Sequence, residues 1–193
     1  ASIVVYCNDY SETKSAILSF FQSNPKGILY LIDNSPDNRL QKLEQLNDSI
    51  VYIFAGRNLG YGAGHNIAIK KAISEGYIYH VVLNPDVCFD ENVLPVLCEY
   101  MEKNTDVGNV LPKVVSSVGE EQGLAKLLPT PFDLLLRRFI PIYSLKRFRN
   151  KTYVLNSYQD NCTINAPSLS GCFMFLRTSA LRKVGLFDEK FFM

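Results

Sequence analysis

Asn84-Pro85-Asp86 follows the apolar run Val81-Val82-Leu83. Proline cannot donate to a sheet ladder, so the run should stop there as a strand and set an amide and a carboxylate at its tip. The Asp86 carboxylate is a hard oxygen ligand suited to Mg2+ or Mn2+. Such an ion needs few protein carboxylates when a diphosphate supplies its other oxygens. It would offset charge on a leaving diphosphate, which is Lewis-acid catalysis. Asp33 ends another apolar run, 27–32, and can accept a hydrogen bond from a base or a ribose hydroxyl. Asn58 and the turn Gly60-Tyr61-Gly62-Ala63-Gly64 can frame a nucleotide. This turn follows a strand and opens a helix, so its backbone N–H groups can face an anion. Its spacing is G-x-G-x-G after the third strand, and it lacks G-K-[ST]. A dinucleotide fingerprint and a P-loop are therefore both disfavoured. By itself the turn says only that something approaches the backbone closely.

The elements that must hold these residues alternate in period. The pattern predicts strands over 2–6, 27–33, 50–54, 77–83 and 107–111. Between them it predicts helices over 11–21, capped by Ser11, over 37–46 with Leu40, Leu43 and Leu46 on one face, from the glycine turn to about 74, and over 91–103. Strands alternating with helices imply an α/β fold with a mostly parallel sheet covered on both faces, Rossmann-like in plan. Ligands collect at the carboxyl ends of such strands. Asn8 and Asp9, Asp33 and Asn34, Arg57 and Asn58, and Asn84 and Asp86 stand at those ends. After a break, strand character returns over 165–177, around Ser170-Gly171-Cys172, and 178–184 reads as a short helix capped by Thr178 or Ser179.

The pattern suggests three parts: an α/β half over 1–111, an inserted lobe or flap over 112–160, and the start of a further half over 161–193. The lobe interleaves Arg137, Arg138, Lys146, Arg147, Arg149 and Lys151 with Leu134, Leu135, Leu136, Phe139, Ile140 and Phe148. Such a segment, about 124–151, can lie on an anionic membrane surface, or can be a solvated basic face packed by its leucines. The chain's 193 residues suit one sizeable core, and its net charge of +1 gives no reason to expect nucleic acid. Its five cysteines form no C-x-x-C pair, and with two histidines there is no zinc spacing. Free thiols in a reducing cytosol are the expectation. No leader is evident, and no apolar run approaches the ~18 residues of a membrane span. The chain is expected to be cytoplasmic, at the inner face of the plasma membrane if the lobe meets lipid.

Four segments in order, DNSPD (33–37), RNLGYGAGHNIAI (57–69), LNPDV (83–87) and SGCFMFLRTSALRKVGLFDEKFF (170–192), carry a family resemblance. Together they resemble inverting family 2 glycosyltransferases of GT-A fold, and most of all their bacterial rhamnosyltransferase-like branch. The resemblance implies that Asp33, and more loosely Asn34, contact the nucleobase and ribose. It implies that Asn58, Gly60, Tyr61 and Gly62 lie against the nucleotide. It makes Asp86 the contact of a divalent metal (Mg or Mn), with Asn84 in the first position of a D-x-D-like motif. It sets Gly171, Asp188 and Glu189 near the sugar and acceptor end; a turn charge pair is the other reading of Asp188 and Glu189. The implied donor is a nucleoside-diphosphate sugar such as dTDP-rhamnose, and the acceptor a bacterial polysaccharide or lipid-linked glycan. In the family an E-D pair follows shortly after the F-F, and its aspartate is the general base. Here the chain stops at Met193, so it reads as truncated, able to bind nucleotide with metal but to turn over little. A non-catalytic nucleotide-sugar-binding module remains a second reading. A sugar-phosphate nucleotidyltransferase is a third, although Cys7-Asn8-Asp9-Tyr10 has neither the glycine nor the lysine of a triphosphate loop.

Overall fold

The computed structural model describes residues 1–116, 118–119, 122–128 and 163–192. The chain divides into two units, Ala1–Pro112 with Gly171–Met193, and Lys113–Ser170. In the first unit β1 (Ser2–Val5), β2 (Leu29–Asp33), β3 (Ile50–Phe54) and β4 (Tyr79–Leu83) alternate with α1 (Tyr10–Ser23), a 3-10 helix (Gln41–Leu46) and α2 (Tyr61–Ser74). Helix α3 (Val93–Lys103), β5 (Asn109–Val110), and later β8 (Phe173–Arg177) and α4 (Thr178–Val184) complete it. In the second unit β6 (Ala125–Lys126) pairs antiparallel with β7 (Ser168–Leu169).

The six-stranded sheet runs β3-β2-β1-β4-β8-β5. β1, β2, β3 and β4 are parallel neighbours. β8 enters between β4 and β5 antiparallel to both, so the sheet is mixed. Period-two alternation divides the strands between two faces. Ile3, Val5, Leu29, Leu31, Val81, Leu83, Phe173 and Phe175 pack with residues of α1, the 3-10 helix and α3. Tyr30, Ile32, Val82 and Leu176 face the opposite way, against Ala68 and Ile69 of α2. Burying one such aliphatic or aromatic side chain contributes roughly 1.5–3 kcal/mol.

Several boundaries differ from the sequence expectation. Asp9, not Ser11, caps α1: its Oδ1 accepts the Ser11 and Glu12 amides at 2.7 and 3.2 Å. Hydrogen bonds from Ser11 and these amides hold its carboxyl below the usual range. The helix expected over 37–46 tightens to a 3-10 turn. Asn38 Nδ2 donates to Gln41 Oε1 at 2.9 Å, and the Arg39 amide to Asp37 Oδ1 at 3.4 Å. Such local side-chain bonds compete with an α-helical start. The strand character over 165–177 divides into β7 and β8, with Gly171-Cys172 a turn between them. Neither expected cap opens α4. Arg177 stands at its N-cap, and the Thr178 hydroxyl donates to Tyr77 O at 2.7 Å instead. Arg177 also donates to Val107, Met101 and Asn104 carbonyls at 2.9, 2.5 and 3.1 Å, fixing the end of α3 to β8. The basic and apolar cluster over 134–151 lies outside the described residues.

Candidate functional site

Four parallel strands carry their carboxyl ends to one edge, and backbone bonds lace that edge together. The Asn34 amide donates to Val5 O at 2.9 Å, Ala55 to Asp33 O at 2.8 Å, and Asn84 to Cys172 O at 2.9 Å. Asp33 is fully buried. Its Oδ1 accepts the Ser35 amide at 2.9 Å and its Oδ2 accepts the Tyr52 hydroxyl at 2.7 Å. Burial first, then Asp33, push the Tyr52 phenol above its ordinary range. Ser35 Oγ in turn accepts the Cys7 amide at 2.8 Å. Cys7 ends this link in the left-handed region, φ 55°, a conformation uncommon for a non-glycine residue. Asn34 donates to Gly60 O at 3.2 Å, while its buried Oδ1 has no partner among the described residues.

The glycine turn has a protein explanation that the sequence could not show. Exposed Asn58 accepts the Gly60 amide at 2.9 Å. Gly60 then takes φ 82°, ψ 168°, which only glycine adopts readily. A Cβ on Gly62 would stand 2.9 Å from Phe187 Cβ, and one on Gly64 2.8 Å from Val4 Cγ2. What approaches the backbone closely here is the protein itself. Tyr61 closes the same corner: its hydroxyl donates to Gly171 O at 2.5 Å, and its ring meets those of His65 and Phe187 edge-on. Helix α2 starts without a side-chain cap or an acidic residue in its first turn. Its leading amides keep their partial positive charge for a ligand or water.

At the end of β4, Asn84 is half-buried and accepts the Val87 amide at 3.3 Å through its carbonyl. Asp86 is exposed, and its carboxylate has no hydrogen-bond partner among the described residues. Among the described residues no group of three or more His, Cys, Asp or Glu side chains gathers that could hold a metal ion alone. One uncommitted carboxylate fits a divalent cation that takes most of its oxygens from substrate and water, and does not fit a resident all-protein site.

Asp188 and Glu189 have separate surroundings. Asp188 Oδ1 accepts the Lys190 amide at 3.0 Å, a local turn bond. Glu189 reaches α2, accepting from Asn66 Nδ2 at 2.9 Å and from Lys70 Nζ at 3.4 Å. The Asn66 and Lys70 bonds lower its carboxyl below the usual range. The structure thus joins Asp33, Asn34 and Gly60 in one network, and Tyr61, Gly62, Gly171 and Glu189 around α2. Asn58 bonds within its own turn, Asn84 joins the turn before β8 through its backbone, and Asp188 bonds within its turn.

Two groups escaped the sequence reading. The first is a buried trio at the other end of the strands: Ser2 Oγ lies 2.8 Å from both His65 Nδ1 and His80 Nε2. One hydroxyl has one proton, so one imidazole accepts it and the other donates. Burial lowers the His65 pKa to about 3 and takes His80 well below its ordinary value. The second is Asn66, which binds the backbone of Phe187 from α2. It lies four residues after Gly62, on the same helix face, which is the only sequence signal for it.

A family model described as Glycosyl transferase family 2 matches residues 2–185. This chain belongs to that family. Its fold is the GT-A-type α/β plan with a mostly parallel mixed sheet. The chain is 24% identical over 164 residues to the low-salt glycan biosynthesis hexosyltransferase Agl10 of Haloferax volcanii, covering 84% of this chain and 48% of that protein. It therefore spans about half the length of that relative. The crystal structure of S. aureus TarS 1-349 superposes with TM-score 0.59 at 14% identity, over 100% of this chain and 51% of that one. GalNAc-T7, crystallised with UDP, GalNAc and Mn2+, superposes with TM-score 0.67 at 16% identity, over 97% of this chain and 36% of that one. At such identities the two structures establish the fold. Among the described residues no helix is long and apolar enough to cross a membrane.

Proposed function

We propose that this chain is the nucleotide-binding part of an inverting glycosyltransferase that moves a hexosyl or deoxyhexosyl group from a nucleoside-diphosphate sugar to a polysaccharide or lipid-linked acceptor. Asp86 carries the reading: an exposed, uncommitted carboxylate at the end of β4, on the strand edge where the uncapped α2 also begins. A diphosphate is served by both, its charge facing the helix amides on one side and a cation on the other. The hexosyltransferase relative and the structural neighbour crystallised with UDP and Mn2+ support the same chemistry.

Mg2+ or Mn2+ would be held by Asp86 together with substrate oxygens, and when bound would supply Lewis-acid stabilisation of the leaving diphosphate. The chain's own residues bind and orient. The α2 amides face phosphate, and the Asn58–Gly62 turn flanks the ribose. The Asn34 Oδ1 acceptor and the Asp33–Tyr52 pair border the base. The backbone bond from Asn84 to Cys172 fixes the direction in which Asp86 leaves β4. Inversion needs a base on the acceptor hydroxyl, and the resemblance assigns it to an acidic pair after Phe191-Phe192. Such a base contributes about 10²–10⁴-fold. Within the donor class, dTDP-rhamnose is the sugar that the resemblance favours.

Calorimetry with UDP and with dTDP, each with and without Mn2+, tests the site. Binding that strengthens with Mn2+ and loses that increment in Asp86→Asn is expected. Binding indifferent to the metal, or unchanged by the substitution, refutes the role of Asp86.

A further inference from the structure

The Phe187–Glu189 turn is fastened to α2 by one side chain. Asn66 is 1% exposed and uses its whole amide. Its Nδ2 donates to Phe187 O at 2.9 Å and to Glu189 Oε1 at 2.9 Å, and its Oδ1 accepts the Phe187 amide at 3.1 Å. The pair of bonds to Phe187 reproduces the exchange between two strand residues, so the amide replaces a missing ladder. Around this clamp the packing is close. Phe187 Cβ stands where a side chain on Gly62 would go, the Tyr61 ring meets Phe187 edge-on, and Tyr61 also holds Gly171. The turn therefore rests on the first two turns of the same helix whose N-terminus opens the glycine turn. Among the described residues its other polar side-chain contact to α2, Lys70 with Glu189 at 3.4 Å, is exposed and weak.

We propose that Asn66 is a positioning residue for sugar transfer: it sets the chain that follows Phe187 in fixed register with the nucleotide-facing start of α2. Asn66 touches no substrate in this scheme. It acts through the turn it holds, and the proposal rests on the donor-site reading of the strand ends. Loss of the clamp leaves the α2 amides and Asp86 in place, so donor binding survives. What is lost is the placement of groups carried beyond the turn, and a misplacement of about 1 Å there lowers turnover roughly 100-fold.

The test uses the full-length protein, with Asn66→Asp and, in case the buried charge impairs folding, Asn66→Ala. Two quantities are read. In hydrogen exchange, protection of the Phe187 amide should fall in Asn66→Ala, which removes its acceptor, while α2 stays protected; Asn66→Asp keeps an acceptor for that amide and loses the donors to Phe187 O and Glu189. In kinetics, kcat should drop about 10- to 100-fold with donor KM unchanged. Unchanged exchange at Phe187 in Asn66→Ala overturns the clamp whatever the activity. Lower thermal stability with unchanged kcat per folded molecule reduces Asn66 to a structural residue and overturns its positioning role. Failure of the wild-type protein to bind any nucleoside diphosphate would instead overturn the donor-site reading, since the exchange result does not depend on it.

Discussion

The Tyr52 hydroxyl donates to Asp33 Oδ2 at 2.7 Å, joining neighbouring strands at the edge where the site opens. The strand register explains the contact. Tyr52 pairs with Leu31, two residues before Asp33 and on the same face. With the Ser35 amide on Oδ1, both oxygens of this fully buried carboxylate are engaged by protein. Removing the phenol hydroxyl leaves one oxygen desolvated without its donor. Tyr52→Phe should therefore cost about 1–3 kcal/mol of stability, read as a lowered urea midpoint with unchanged m-value. A stability equal to wild type would show that water replaces the hydroxyl without loss.

Gly62 and Gly64 lie two residues apart on α2 and should respond differently to alanine. Helix propensity favours each change by about 1 kcal/mol. At Gly64 the new methyl meets both Val4 methyl groups, at 2.8 and 2.9 Å, on a β-branched side chain of a central strand. Overpacking of that kind costs about 1–3 kcal/mol, so Gly64→Ala should be net destabilising. At Gly62 the obstacle is Phe187 Cβ, on a half-buried turn near the surface. Gly62→Ala should keep global stability near wild type and loosen the turn instead. Thermal denaturation of the two variants in parallel separates these outcomes, and equal losses would contradict the assignment.

The alternation of periods was enough to place β3 over Ile50–Phe54, α2 as far as Ser74 and α4 over Thr178–Val184. Such elements are legible because each carries its own apolar face. The direction of β8 was not, since its partners β4 and β5 lie far away in sequence and nothing local encodes strand sense. At the site, Asp86 could be read from the proline that ends its strand. The burial of Asp33 could not, because it depends on Tyr52 from another strand. The glycine turn was read toward a ligand, whereas Gly62 and Gly64 are small to admit Phe187 and Val4. Asn66 was hidden because its meaning lies in a backbone that returns to it after 121 residues.

The basic segment invites a prediction from charge alone. Arg137, Arg138, Lys146, Arg147, Arg149 and Lys151 are spaced among leucines and phenylalanines. We propose that this segment contacts anionic lipid peripherally. Attraction of this kind is screened over about 8 Å at physiological ionic strength. The protein should pellet with vesicles containing phosphatidylglycerol, less with neutral vesicles, and less again as salt is raised. Pelleting indifferent to both lipid charge and salt would rule this contact out.

His65 and His80 give the fold a pH dependence. Both are buried and share the Ser2 hydroxyl, and desolvation lowers both pKa values, that of His65 to about 3. In the unfolded chain each returns to about 6.5. Between those values the unfolded state binds the proton and the native state does not, so stability rises with pH there. Each histidine contributes a slope of up to about 1.4 kcal/mol per pH unit, and none once pH exceeds the unfolded value. Stability should therefore be level above neutrality from this source and fall as pH drops from about 6.5 toward 3. His80→Gln keeps a hydrogen-bonding side chain toward Ser2 but cannot take up a proton. Urea unfolding of wild type and variant from pH 8 to pH 4.5 should show a shallower decline in the variant. Identical slopes would mean that the His80 imidazole is protonated alike in the folded and unfolded states.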